Sequence, residues 1–145
     1  MWSAACGMLL ATTVVHAGGL SSTTTSTTTT TLPGGCDVAP VFSSILCRLD
    51  VLVASVEGAT DLGRLKEGVV NSARKARRQC QNAAAATGRT ASNQLKKCGR
   101  TLINFRHKLD SNNAHKVIPD DTRNVLRNDM AEPLRNDIKT LRGTL

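Results

Sequence analysis

The chain has 145 residues and a formal net charge of +8, and it is 40% hydrophobic but only 2% aromatic, with no Tyr. This length allows one domain with additional segments. A core must be built from Leu, Val, Ile and Ala, with Phe42 and Phe105 as its large rings. Because sandwiches and barrels rely on aromatic and β-branched residues, the composition favours an all-α fold.

Residues 1–17 have the features of a secretory signal peptide. They carry no charge, are apolar from Met8 to Val15, and end in Val15-His16-Ala17. Short side chains at these last positions are typical of a signal-peptidase site, so we expect cleavage after Ala17. The apolar run is shorter than the about 20 residues of a membrane-spanning helix. We therefore predict a secreted, periplasmic or cell-surface protein with no transmembrane segment. The segment departs from a usual signal peptide in having no Lys or Arg near its start, and the alternative is a mildly apolar, disordered leader.

Residues 18–35 form a low-complexity tract rich in Thr and Ser. The tract has no charge, no apolar periodicity and only Leu20 and Leu32 as large apolar residues. It cannot bury enough surface to offset the entropy of ordering, so we predict a disordered linker. Thr-rich tracts with Pro are also typical of O-glycosylated stalks, which stays open beside a plain spacer. The linker would lead into a domain at residues 36–145.

Two helices are predicted in the first half of this domain. The first runs from about Val38 to Val56 with Asp37 as a candidate cap. The second follows Asp61 and ends at Gly88, because Gly commonly follows the last turn of a helix. Their apolar faces repeat every three or four residues and comprise Phe42, Ile45, Leu49, Leu52 and Val56 in the first, and Leu62, Leu65, Val69, Ala73, Ala76, Cys80 and Ala83 in the second.

Two further helices are predicted in the second half. The third follows Thr90 as a cap and is broken by the polar segment 110–115, which we interpret as a loop. The fourth starts near Pro119 and should be kinked by Pro133. Because the connections are short, neighbouring helices should be antiparallel, and we predict a small antiparallel four-helix bundle. The apolar faces comprise Ala91, Leu95, Cys98, Leu102, Phe105 and Leu109, then Leu126, Met130, Leu134, Ile138 and Leu141.

Removal of the signal peptide would leave four cysteines, an even number typical of two disulfides in a small secreted domain. Cys80 and Cys98 lie at nearly equal distances from the turn at Gly88-Arg89, on the apolar faces of neighbouring helices, so we predict that they pair. The remaining pair is Cys36–Cys47, which requires the arm before the first helix to fold back. Free buried thiols are the alternative. Zinc binding is less favoured because the chain has no CxxC motif.

The positive charge is concentrated in the second and third helices. The segment from Arg64 to Lys116 contains thirteen basic residues, opposed only by Glu67 and Asp110. One interpretation is a solvated face, partly neutralised by Asp50, Asp120, Asp121, Asp129 and Asp137. The other is a surface that binds polyanions such as envelope glycans, lipid headgroups or extracellular nucleic acid. Sequence-specific nucleic-acid binding is not expected, since aromatic residues for base stacking are missing. The candidate binding residues are Arg74, Lys75, Arg77, Arg78, Lys96, Lys97 and Arg100.

No catalytic, metal or cofactor motif is found. Asp120 and Asp121 lie at a predicted helix N-terminus, where negative charge is stabilising without any catalytic role. His107 and His115 have no obvious nucleophile or ligand partner at a suitable spacing. We therefore expect no enzyme, no cofactor and no metal site.

Three runs of the chain resemble the FIMAH module, a small helical domain near the C-terminal end of secreted bacterial hydrolases. They are "LDVLVASVEGATDLGRLKEGVVNSARKARRQC", "TASNQLKKCGRTLINFRHKL" and "IPDDTRNVLRNDMAEPLRNDIKTL", within residues 49–145. The likeness lies in the L-x-x-F-x-x-x-L spacing of Leu102, Phe105 and Leu109, the Ile-Pro pair at Ile118, and the final helix. The resemblance implies a non-catalytic accessory module and carries over no functional residues.

These observations together predict a secreted or cell-envelope-associated accessory module that is stapled by two disulfides. Its partner would be an anionic envelope polymer, bound through the basic second and third helices, or another secreted protein. The alternative function is a structural or adaptor protein that docks on another protein through a helix face. Salt sensitivity would distinguish the two, because charge-dependent binding weakens as salt rises while apolar docking does not.

Overall fold

The computed structural model describes residues 35–145, so the predicted signal peptide and nearly all of the predicted linker lie outside the described residues. Within residues 35–145 every regular element is helical and there is no strand, which confirms the all-α prediction. The elements are α1 (Phe42–Gly58), a 3₁₀ turn (Gly63–Leu65), α2 (Lys66–Ala84), α3 (Gly88–Leu109), α4 (Asn112–Val117), α5 (Asp120–Asn124), a π-helical turn (Val125–Ala131) and α6 (Glu132–Gly143). None of the described helices has both the length and the apolar character needed to cross a membrane.

Helix α1 begins at Phe42, four residues later than predicted, and Asp37 does not cap it. The residue before a proline disfavours helical backbone, and Ala39 precedes Pro40. The arm instead folds back onto α1, where Ser44 Oγ accepts a hydrogen bond from the Ala39 N–H at 3.2 Å and donates one to the carbonyl of Asp37. Residues 36–41 are therefore a non-helical arm rather than a first helical turn.

Two glycine residues with positive φ lie in the segments before and after α2. Gly63 opens the 3₁₀ turn with a φ of +50°, and a Cβ added there would lie 2.7 Å from Cγ1 of Val117. Gly88 also has a φ of +50°, but it is the first residue of α3 instead of the residue that ends α2. The prediction that α2 ends at Gly88 was therefore wrong. The helix ends at Ala84, and after a connection of three residues Gly88 begins α3.

The segment predicted to be a loop after α3 contains the short helix α4. Ser111 caps this helix, since its Oγ accepts a hydrogen bond from the Ala114 N–H at 3.2 Å. A serine at this position satisfies one of the free N–H groups of a first turn, and Ala114 is buried beneath it. His115 therefore lies on a helix and not in a loop.

The C-terminal segment is one helical run whose middle is a π-helical turn instead of a simple proline kink. Pro133 stands at the start of α6, directly after this turn. In the turn the buried positions step by five residues, from Leu126 to Ala131, before returning to helical spacing at Leu134 and Ile138. Met130, which was predicted to be in the core, is only partly buried as a result.

The core joins all four long helical segments. Helix α2 packs against α1 and α3, and α3 packs against α6, while the π-helical turn contacts both α1 and α3. Phe105 is fully buried and is the largest side chain in the core. The faces predicted for the first three helices are buried almost completely. Because α2 contributes mainly small residues, most of the core volume comes from Leu and Ile of the helices that pack against it. The fully buried set includes Ile45, Leu49, Leu52, Val56, Ala73, Ala76, Ala83, Leu95, Leu102 and Leu109.

Both predicted cysteine pairs lie at disulfide distance. The Cα atoms of Cys36 and Cys47 are 5.8 Å apart, and those of Cys80 and Cys98 are 5.7 Å apart. Eleven residues of continuous helix would separate the first pair by about 16 Å. The first bridge is therefore compatible only with the folded-back arm, and it accounts for the late start of α1.

Candidate functional site

Two of the seven predicted anion-binding residues are paired with carboxylates of α1. Arg74 Nε lies 2.8 Å from Glu57 Oε1, and Arg77 donates two hydrogen bonds to Asp50, one from Nη2 at 3.4 Å. The hydrogen bond to Asp50, followed by the charge of that carboxylate, raises the pKa of the Arg77 guanidinium above its ordinary value. Part of the basic surface is thus neutralised, as the solvated-face interpretation expected for Asp50.

The other five predicted residues are exposed, and no carboxylate among residues 35–145 lies at ion-pair distance from them. Lys75 and Arg78 share a shallow surface depression on α2 with the paired arginines. Lys75 also lines a depression between α2 and α3, which Lys108 borders. Lys97 projects from α3 and is exposed.

Lys96 and Arg100 belong to a different surface, a groove of about 200 Å³ between α3 and α6. The opposite wall of this groove carries three basic residues of α6: Arg135, Lys139 and Arg142. Of these, only Arg135 has a carboxylate partner among the described residues, Glu132 at 3.2 Å. The floor is apolar and consists of Leu95, Gly99, Ile103 and Ile138. We call this surface the cationic groove.

The basic residues of α6 were missed by sequence reasoning, which located the positive charge in the second and third helices. Arg135, Lys139 and Arg142 repeat at steps of four and three, so they lie on one side of the helix. That spacing was a usable signal. It could not reveal which neighbouring helix they would face.

Sequence reasoning also missed the buried Arg48. Its side chain is 3% exposed, and its Nη2 lies 2.5 Å from Asp137 Oδ2. The Arg48 Nε–H donates to the carbonyl of Ser44 at 3.5 Å, and Nη2 also donates to the carbonyl of Ala39 at 3.4 Å. Nη1 has no hydrogen-bond partner. The available signal was an arginine three residues after Ile45 on an apolar helix face.

Arg48 lines a cavity of about 250 Å³ between α1 and the π-helical turn. Val51 and Ser55 of α1 form one wall. The facing wall is formed by residues of the C-terminal segment, Met130 among them, and Asp129 supplies a carboxylate. The full lining consists of Cys36, Arg48, Val51, Ser55, Val125, Asp129, Met130 and Leu134. We call this space the α1 cavity.

The remaining polar candidates do not form a catalytic constellation. Asp120 Oδ1 accepts from Arg123 Nη2 at 2.6 Å, and His115 Nδ1 lies 2.5 Å from Arg123 Nη1, so both surround a buried arginine. His107 is exposed. Within residues 35–145 no three His, Cys, Asp or Glu side chains are grouped so that they could hold a metal ion.

Comparison with known proteins finds no matching family model, no matching curated protein and no matching solved structure. The resemblance to the FIMAH module therefore stays a prediction from the sequence.

Proposed function

We propose that the protein is a non-catalytic, secreted or envelope-associated module that binds anionic polymers through the unpaired cations of α2 and α3 and the adjoining cationic groove. In this proposal its helices form an antiparallel four-helix bundle. Side-chain contacts support that arrangement: Ser72 contacts Lys108 and Gln79 contacts Thr101, so positions that rise along α2 meet positions that fall along α3.

The observation that carries the proposal is the set of exposed cations without carboxylate partners. Residues 1–34 contain no Asp, Glu, Lys or Arg, so the whole net charge of +8 belongs to residues 35–145. Lys96, Arg100, Lys139 and Arg142 gather around one groove. Like charges held together in this way attract phosphate or carboxylate groups of a polymer, because binding relieves their mutual repulsion. The two disulfides support an oxidising compartment.

The adaptor alternative has less support. An adaptor needs a contiguous exposed apolar patch. Among residues 35–145 only four large hydrophobic residues are exposed: Val38, Val41, Val125 and Leu145. Two of these lie in the arm before α1 and one is the last residue, so they do not make up one helix face.

The test is elution from a heparin column in a salt gradient, repeated on immobilised polyphosphate. We expect the wild-type chain to elute above physiological salt, and a Lys96→Gln/Arg100→Gln variant to elute at clearly lower salt. The matched control is Arg64→Gln/Lys116→Gln. It removes the same charges from exposed residues that lie outside the groove and have no ion pair among the described residues.

Two outcomes would contradict the proposal. Elution of the wild type below physiological salt would show that the surface does not hold polyanions. An equal shift in the two double variants would show that only net charge matters and that the groove is not a site. Far-UV circular dichroism of each variant verifies that the helices are retained.

A further inference from the structure

Two contacts define how α3 and α6 lie against each other along the cationic groove. Arg106 of α3 forms an ion pair with Glu132 of α6. Seven residues earlier on α3, a Cβ added at Gly99 would lie 3.7 Å from Cγ2 of Ile138, which comes six residues later on α6. Positions that fall along α3 therefore meet positions that rise along α6, in agreement with the antiparallel arrangement proposed above.

In this register the groove has a charged part and an apolar part. The other end of the groove from the charged part is formed by Ile103 together with Arg135, whose guanidinium is already paired with Glu132. The seven residues from Lys96 to Ile103 span about 10 Å along α3. The charged part holds four exposed cations with no ion-pair partner among the described residues, namely Lys96 and Arg142 at the end and Arg100 and Lys139 in the middle.

The accessible floor of the groove is apolar. Gly99 and Ile103 are partly exposed, whereas Leu95 and Ile138 are almost completely buried and only close the floor from below. Because Gly99 has no side chain, the floor stays open between the cations and Ile103. The aliphatic stems of the Lys and Arg side chains add hydrocarbon to the walls. None of the described residues that line the groove is a carboxylate or a neutral residue with a polar side chain.

This lining discriminates among anionic ligands. A sugar hydroxyl placed on the apolar floor would give up hydrogen bonds to water without replacement, which is unfavourable. A nucleobase would find no aromatic ring to stack on, because none of the described lining residues is aromatic. A hydrocarbon chain, in contrast, gains free energy when it leaves water for such a surface. The floor therefore favours an anion that carries a hydrocarbon chain.

The number of free cations favours phosphate as the anionic group. A phosphate monoester carries a charge of about −1.5 to −2 near neutral pH and three strong acceptor oxygens, whereas a carboxylate carries a single charge. The guanidinium groups of Arg100 and Arg142 can each bind such a group through two parallel hydrogen bonds. Four unpaired cations are thus better matched by phosphate than by one carboxylate.

From these observations we propose that the cationic groove binds a phosphate monoester that carries a single hydrocarbon chain. The phosphate lies among the four free cations, and the chain runs over Gly99 towards Ile103. This inference rests on the proposed function for the role of the cations, and it adds an apolar part to the ligand that binds there.

The probes are ethyl, hexyl and octyl phosphate and octanoate, titrated calorimetrically into the full chain below the concentration at which each probe forms micelles. Complete burial of one CH₂ group corresponds to about a fourfold gain in affinity. Because the groove is open on one side, we expect about a twofold gain per CH₂ group, so that octyl phosphate binds at least about tenfold more tightly than ethyl phosphate. Octanoate should bind about tenfold more weakly than octyl phosphate.

Substitutions of the floor separate the chain from the phosphate. Ile103→Gln should weaken octyl phosphate at least about fivefold, but leave ethyl phosphate and elution from heparin unchanged. Leu46→Gln, at a partly buried residue of α1 outside the groove, is the matched control and should change none of these. Gly99→Leu should abolish the dependence on chain length by filling the floor, whereas Gly58→Leu, with open space around it, should not. Far-UV circular dichroism verifies that each variant is folded.

The outcomes distinguish this inference from the proposed function. If octyl phosphate binds no more tightly than ethyl phosphate while the wild type elutes from heparin above physiological salt, the inference is wrong and the proposed function stands. Equal weakening by Ile103→Gln and Leu46→Gln would place the chain outside the groove and also overturn the inference. Octanoate binding as tightly as octyl phosphate would overturn the assignment of phosphate. Elution of the wild type below physiological salt would instead contradict the proposed function, and with it the role of the four cations.

Discussion

Removal of the Cys80–Cys98 bridge should cost more stability than removal of the Cys36–Cys47 bridge. Its sequence separation is 18, for which the loss of chain entropy in the unfolded state corresponds to about 3.2 kcal/mol. Both residues are fully buried, so Cys80→Ala/Cys98→Ala also removes packed sulfur atoms and leaves a small void. We expect a total loss of about 3–5 kcal/mol, against a total stability of about 5–15 kcal/mol for a domain of ordinary stability.

The assay is urea unfolding monitored by far-UV circular dichroism, because residues 35–145 contain no Trp or Tyr for fluorescence. All variants carry Cys6→Ser, so that the chain contains only the four cysteines of the two pairs. The comparison is Cys36→Ala/Cys47→Ala, whose separation of 11 predicts a loss of about 2.8 kcal/mol from the same source. Its packing change should be smaller than that of the buried pair, since Cys36 is buried but Cys47 is exposed. A loss below about 1 kcal/mol for the buried pair, or two free thiols there by mass spectrometry of the unreduced protein, would refute the reasoning.

Further substitutions test the packing, the backbone and the surface in the same unfolding assay. Phe105→Ala should lower the free energy of unfolding by about 3–5 kcal/mol, because the ring is fully buried; a loss under about 1 kcal/mol would show that the site is not packed. Gly63→Ala should cost about 1–2 kcal/mol from the positive φ alone, and more from the approach to Val117, whereas an unchanged midpoint would contradict that geometry. Arg77→Ala should cost less than about 1 kcal/mol, because its pairing with Asp50 is exposed; a larger loss would mean that the pair is structurally important.

The helical class and the Cys80–Cys98 pairing were predictable from the sequence because they depend on local periodicity, and Cys36–Cys47 followed as the remaining pair. The spacing of Leu95, Cys98, Leu102 and Phe105 defines one face of α3, and the position of Cys98 on that face identifies Cys80 as its partner. Period and distance from a turn are properties of the chain alone, so no tertiary information was needed.

The errors have three different causes. Helix α1 starts late because a covalent bridge to Cys47 holds the arm against it, which outweighs the helical pattern. The π-helical turn was missed because a step of five residues occurs only once, between Leu126 and Ala131, and periodicity averaged over a window does not register it. Helix α4 was missed because a single cap, Ser111, and one buried residue are too short a pattern to separate from a loop.

The candidate site was only partly predictable for a similar reason. Sequence identifies which residues are basic but not which carboxylates they meet, so the pairing of Arg74 with Glu57 could not be foreseen. Nor does the sequence reveal which helices form a groove together. Lys96 was predicted to share a surface with the basic residues of α2, whereas it lines a groove with residues of α6. The burial of Arg48, with one nitrogen left without a hydrogen-bond partner, depends on atomic placement alone.

The α1 cavity depends on one extra residue in the π-helical turn. An α-helix repeats every 3.6 residues, so deletion of one residue between Leu126 and Ala131 would turn the step of five into the ordinary step of four. The helix would then run regularly to Pro133. Met130, whose side chain now lines the α1 cavity, would be deleted or would rotate away from it. A relative that has this gap in an alignment should therefore keep the bundle and the cationic groove but lack the cavity. A single codon inserted in this segment would therefore be enough to open a cavity in an existing helical domain.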